Sequence, residues 1–275
     1  MQQKSILVTG CSSGIGRCTA LGLQQRGYRV FATARQQADI DELESLGITT
    51  LYLDYRDSDS IHEAFNRVME ATGGRLYALF NNGAYGQPGA VEDLTRETLR
   101  SQFETNLFGW HELTRLAIPV MRLHNEGRII HNSSVLGFAA MSYRGAYNAS
   151  KYALEGLADT QRLELRGTHI HISLIEPGPI RSRFRANAYQ QFIENIDVEQ
   201  SVHQATYEKM ITRLNKEGDA APFTLPPEAV LKKVVHALES KRPKIRYYVT
   251  FPTYLFGFLK RILGNRQMDW LLAKI

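Results

Sequence analysis

Cysteine is nearly missing from this chain: of 275 residues only Cys11 and Cys18 carry a thiol, and both lie near the N-terminus. Two closely placed thiols exclude a disulfide framework or a cysteine metal site, and a reducing compartment is expected. Cys11 reads as a small filler side chain. Long apolar runs are also missing. The most apolar stretch, within the tail from Tyr247, covers about thirteen residues and holds Pro252 and Gly257, against the roughly twenty that a bilayer span needs. The opening MQQK runs directly into a strand pattern without the basic, apolar and small-residue profile of a signal peptide, so a cytoplasmic location is expected. Repeats and low-complexity segments are absent, and the length suits one α/β domain with a full core. Acidic residues are scarce only at the end. Residues 241–275 hold eight Lys and Arg against one Asp, so the formal charge of +5 belongs to the tail. No known nucleic-acid motif accompanies these cations, which argues against DNA as a partner.

What is present begins with TGCSSGIG, Thr9 to Gly16, directly after the apolar run Ser5 to Val8. Apolar residues at helical spacing follow, so Gly10 to Gly16 is a strand-to-helix turn. Free N–H groups at such a helix start favour an anion, and glycines let a pyrophosphate approach the backbone. The spacing is GxxxGxG rather than GxGxxG. Tyr147 and Lys151 stand four apart in a segment of helical period, on one face, with Ser134 thirteen residues upstream. An ammonium beside a phenol is expected to favour the phenolate.

Strand candidates recur at Ile6 to Val8, Arg29 to Ala32, Thr50 to Leu53, Leu76 to Phe80, Arg128 to His131 and Ile170 to Ile175, with a seventh at Ile245 to Val249. Helical periods between them predict a doubly wound parallel sheet with ligands at the carboxyl ends of its strands. Residues 183–224 break this rhythm and are expected to form a partly helical substrate lid.

Taken together, these motifs resemble the short-chain dehydrogenase/reductase family over nearly the whole sequence, from Lys4 to about Tyr248. The likeness is to NADP-dependent aldehyde reductases of bacteria, related to hydroxysteroid and retinol dehydrogenases. It implies a single Rossmann-type domain over residues 1–275, with a seven-stranded parallel sheet, helices on both faces, a core of 1–248 and a tail of 249–275. It also implies a catalytic tetrad of Asn106, Ser134, Tyr147 and Lys151. Asn106 would anchor a water. The cofactor residues carried over are Gly10, Ser12, Ser13, Gly14, Ile15, Gly16, Asp54, Asn81, Gly83, Pro177, Ile180 and Ser182, together with Tyr147 and Lys151. Two motifs depart from the family pattern: NNAG appears as Asn81, Asn82, Gly83, Ala84, and PGxxxT ends in Ser182, which keeps the hydroxyl.

The second strand lacks a terminal carboxylate to hold the ribose hydroxyls of NAD; Arg35 stands in that corner and suits a 2′-phosphate, so NADP(H) is the expected cofactor. Asp54 reads either as an adenine contact or as a helix N-cap. His111, His131 and Tyr143 read as structural. The tail reads either as a helix on the substrate mouth or as an interfacial segment at a lipid surface. Both readings suit a small apolar aldehyde, ketone or alcohol. Homodimers or homotetramers through the helices around 98–121 and 149–165 are implied by the resemblance. A ketoacyl reductase, a sugar-nucleotide epimerase and a non-catalytic NADPH sensor are the competing readings.

Overall fold

In the computed structural model, which describes residues 3–216, 218, 219 and 221–274, seven parallel strands form one sheet in the order β3-β2-β1-β4-β5-β6-β7. They are β1 (Ser5–Val8), β2 (Arg29–Ala34), β3 (Thr49–Tyr52), β4 (Ala78–Asn81), β5 (Gly127–Asn132), β6 (Ile170–Glu176) and β7 (Arg246–Tyr248). All seven expected strands are present, and the seventh lies at the sheet edge beside β6.

Strand alternation assigns each apolar residue to one of two layers. Leu7, Phe31, Leu51, Leu79 and Ile129 point into one core with α3 (Ser58–Thr72), α5 (Gly109–Leu123) and α6 (Gly145–Glu164). Ile6, Val8, Val30, Ala32, Phe80 and Ile130 point into the other, against α1 (Gly14–Gln25), α2 (Gln37–Ser45) and α9 (Glu228–Glu239). Local signals set the helix ends. Asp57 caps α3 by accepting from the amides of Asp59 and Ser60, and Gly73 closes it at φ 64°.

The order reverses between β1 and β4, and a cleft of ≈ 1180 Å³ opens above the carboxyl ends there. Between α4 (Arg96–Phe103) and α5 the chain makes one π-helical stretch, Glu104–Phe108, that contains Asn106. The 183–224 segment forms α7 (Phe184–Asn195) and α8 (Gln204–Leu214) around a small core of its own that includes Phe192, Tyr207 and Met210; Glu217 and Ala220 lie outside the described residues. After β7 come α10 (Phe251–Ile262) and α11 (Asn265–Leu272).

Candidate active site

The glycine turn fits its sequence reading at the level of atoms. Gly10 has φ 65°, and a Cβ there would fall 2.4 Å from the Cα of Gly83. Gly16 is needed for packing instead: its Cβ would meet the Gly10 carbonyl oxygen at 2.1 Å. No side chain caps the start of α1, so its first amides face the cleft without a side-chain acceptor. Gly10, Ser12, Ser13 and Ile15 line the cleft, whereas Gly14 and Gly16 lie behind it. Gly14 makes room for Ser182, whose Cβ would sit 2.7 Å from an added Cβ, and so brings the segment after β6 against the turn. Pro177, Ile180 and Ser182 of that segment all line the cleft.

At the end of β2, Arg35 reaches Asp54 at 3.8 Å, and Arg56 grips the same carboxylate at 3.1 Å. Burial works to raise the Asp54 carboxyl, but the hydrogen bonds from Arg56 and the charges of Arg56 and Arg35 outweigh it and hold the group below its usual range. Asp54 is therefore an ionised cleft residue between two guanidiniums, and the cap role belongs to Asp57. Arg56 was not singled out by sequence, although it stands two residues from Asp54 and holds it through local hydrogen bonds. Gly83 lines the cleft beside Asn82, whose amide ties the Thr9 and Gly10 carbonyls (2.9 and 3.2 Å) to the end of β4. The exchange of glycine and alanine is accommodated here. Gly83 is the crowded position, 3.4 Å from Gly10 for an added Cβ, while Ala84 packs at the edge of the core.

Ser134, Tyr147 and Lys151 converge. Ser134 follows β5, and its hydroxyl, which accepts from the Leu136 amide at 3.1 Å, lies beside the Tyr147 phenol and favours its ionised form. Lys151 is 1% exposed; its ammonium donates to the Asn132 carbonyl at 2.8 Å and sits 4.2 Å from the Trp110 ring centroid. The expected acidification of Tyr147 is not found. Burial dominates and pushes the phenol up to about 12, with only Ser134 opposing. The physical reason is distance and competition: the Lys151 Nζ stands 5.7 Å from the Tyr147 ring centroid and is engaged with Asn132. Burial pulls Lys151 itself down to about 7, against the opposing charge of Glu155. At neutral pH the phenol is thus protonated, the form a proton donor requires.

Besides Gly14 and Gly16, two further sequence-assigned residues do not line the cleft. Asn81 is fully enclosed: its Oδ1 accepts from the Tyr55 hydroxyl at 2.7 Å and its Nδ2 donates to Thr114 at 3.0 Å, so its side chain braces β4 against α5. Asn106 is also fully buried. Its amide donates to the Tyr85 carbonyl (2.9 Å) and the Ser150 hydroxyl (3.2 Å) and accepts from the Tyr85 amide (3.2 Å). Its side chain is thereby committed to joining the π-helical stretch to α6, which leaves little for a water. His131 is structural as expected. It pairs with Asn81 and stacks on Trp110, and burial followed by the Lys151 charge keeps it neutral, at about 3. The buried Cys11 thiol is pushed up to about 12 by burial, which suits an inert filler.

Beneath the site lies a cluster that sequence reading missed. Ser133 donates to Glu155 at 2.5 Å, and Arg246 on β7 reaches Glu155 (3.0 Å), Asp159 (2.8 Å) and the wholly buried Glu176 (3.1 Å). The register of β6 on β7 makes this meeting possible, and no local pattern announces it.

The lid supplies one wall of the cleft. Phe184 packs edge-on against Tyr147 at 5.4 Å, and Ala188 and Leu214 add apolar lining between polar residues. No residue of α10 or α11 lines it. Instead α10 packs inward through Thr253 and Gly257, the latter against the Tyr248 ring, and turns Phe251, Tyr254, Phe258 and Ile262 outward.

Comparison with known proteins gives a consistent picture. The short chain dehydrogenase family profile matches residues 4–192. An uncharacterized oxidoreductase of Escherichia coli, YbbO, is 43% identical over 272 residues, covering 99% of this chain and 95% of its own. An NADPH-dependent 3-dehydrocapnine reductase of Ornithobacterium rhinotracheale is 29% identical over 98% of this chain and 95% of its own. Among solved structures, a short-chain dehydrogenase from Streptomyces avermitilis superposes with TM-score 0.77 at 27% identity, covering 95% of this chain and 93% of its own.

Proposed function

The chain belongs to the short-chain dehydrogenase/reductase family, and from that premise we propose that it is an NADPH-dependent reductase of an aldehyde or ketone, running as an alcohol dehydrogenase in reverse. One observation carries this reading: Tyr147, Ser134 and the buried Lys151 converge in the wall of a cleft whose other end is a glycine turn, where burial favours the neutral phenol. A dinucleotide fits that cleft. The Gly10 approach excludes a Cβ, the amides opening α1 lack side-chain caps, and Arg35 and Arg56 flank the corner where a 2′-phosphate would lie.

When bound, the nicotinamide supplies the hydride. Tyr147 gives its phenolic proton to the carbonyl oxygen as charge develops there, and Ser134 donates a hydrogen bond to the same oxygen. Lys151, poised near neutrality, returns a proton toward the phenolate. Asn106 is a positioning residue that fixes the start of α6 through Ser150. A sensor without turnover would have no use for a neutral phenol and a lysine held at about 7 in contact with the same cleft.

The cofactor preference rests on Arg35. Arg35→Ala is expected to weaken NADPH by about 1.5 kcal/mol, roughly tenfold, since the guanidinium is half exposed, and to leave NADH nearly unchanged. Titration of both cofactors by fluorescence checks this, and equal losses would remove Arg35 from the 2′-phosphate.

We place the enzyme in the cytoplasm as a homodimer or homotetramer. Its pairing face would be the apolar groove of Leu107, Phe108, Ala153 and Leu157 between α5 and α6, seated on a second copy. Among the described residues no helix is long and apolar enough to cross a membrane. The outward stripe of α10 is instead assigned to an anionic lipid surface. Four cations against one Asp in α10 and the residues after it supply the charge, and Trp270 lies exposed at the same end. Vesicles containing phosphatidylglycerol should carry the protein down in a salt-sensitive way, and Phe258→Asp should abolish that. Equal sedimentation of both proteins would assign the stripe elsewhere.

A further inference from the structure

We propose that the substrate half of the cleft holds an anion-binding subsite formed by Arg144 and Arg213, so that the natural carbonyl substrate carries an oxyanion headgroup beside its apolar chain. The inference rests on the reductase reading for the reaction but not for the binding, which belongs to the cleft itself. It also narrows the earlier expectation of a simply apolar substrate.

Arg144 immediately precedes α6, three residues before Tyr147, and both line the cleft. Its Nη1 donates to the Tyr143 carbonyl at 2.9 Å and to the Met210 Sδ at 3.2 Å, and a thioether is a weak acceptor for a guanidinium. Arg213, in the last turn of α8, lines the same cleft and adds a second positive charge. Burial, and then the charge of Arg213, pull the Arg144 guanidinium down to about 10. Among the described residues no carboxylate stands in ion-pair range of either arginine. Of the lid acids, Glu194 and Asp219 line the cleft; Glu194 accepts from Gln191 at 2.7 Å, and Asp219 takes Arg181 at 2.7 Å.

A largely enclosed guanidinium with a like charge beside it and no counter-ion among the described residues is an unfavourable arrangement that a bound anion relieves. The same region offers apolar wall from Leu136, Met141, Phe184 and Leu214. Chain and headgroup can therefore be recognised within reach of Tyr147. A carboxylate, phosphate or sulfonate shares the chemistry required, and only the charge is specified by the two arginines.

Calorimetric titration of the full chain with decanoate and with decanamide tests the subsite without turnover. Decanoate is expected to bind at least about tenfold more tightly, with the difference shrinking as salt rises. Arg213→Gln, at an exposed position where folding is not at stake, and Arg144→Gln should each bring the two affinities together while leaving decanamide unchanged. Equal affinities in the parent protein, no detectable decanoate binding, or a preference that survives both substitutions would overturn the proposal. Loss of hydride transfer alone would strike the reductase reading and leave this subsite standing. With decanoate preferred, phosphate- and sulfate-headed decyl chains then rank the headgroups.

Discussion

Tyr147→Phe is expected to lower kcat by at least about a hundredfold while leaving NADPH affinity within about a factor of two, because positioned general acids contribute 10²–10⁴-fold. The substitution removes one oxygen from a side chain that is 8% exposed and packs edge-on against Phe184, so the cleft keeps its shape. What it removes is the phenolic proton beside Ser134. Steady-state kinetics on the purified variant, with cofactor binding measured separately, checks both halves. Turnover within a factor of ten of the parent would show that another group supplies the proton. A parallel loss of cofactor affinity would show that the hydroxyl mattered for binding instead.

Arg246→Ala is expected to cost about 3 kcal/mol of stability, at the lower end of what breaking a buried ion pair costs because the arginine is one-third exposed. The effect should depend on pH with a definite sign. Burial, reinforced by the Glu155 charge, raises Glu176 to about 8, against the Arg246 charge that lowers it. An unfolded glutamate ionises near 4.5, so between that pH and about 8 the folded state holds the extra proton and stability falls as pH rises. Removing Arg246 takes away the charge that favours ionisation, which widens the window. Denaturation of both proteins at pH 5 and pH 8 should therefore show the larger deficit at pH 8. A loss independent of pH would mean that Arg246 acts only through packing. Glu176→Gln in the same background should recover part of the deficit, since a neutral amide does not have to be ionised in the core.

The sheet was legible because its signals are local. Each strand is a short apolar run between turn residues, and the glycine turn carries its constraint in its own spacing. The candidate trio was legible for the same reason, since Tyr147 and Lys151 share one helix face and Ser134 follows a strand. The burial of the Asn81 side chain had a local signal: it shares its face of β4 with Leu79, which points into the core with α5. Asn106 was assigned only through the resemblance; its enclosure was not legible because a π-helical stretch shifts the helical phase at that residue. The protonation of Tyr147 was misjudged for a different reason. A pattern of four residues shows which side chains are neighbours, but the balance between burial and charge depends on the whole enclosure. Arg246 with its three carboxylates, and Arg144 with Arg213, join residues dozens of positions apart or more, where only tertiary structure speaks.

The central claim is that this cleft moves a hydride from NADPH to a carbonyl carbon. Incubating the protein with NADPH deuterated at the transferable position of the nicotinamide and with decanal, followed by mass analysis of the alcohol, tests it most directly. The account predicts decanol carrying one deuterium on its carbinol carbon, formed in step with oxidised cofactor and greatly slowed in Tyr147→Phe. Binding of NADPH with no labelled alcohol from decanal, from a ketone or from an oxo acid bearing a carboxylate would contradict it and leave a nucleotide-binding protein without this chemistry.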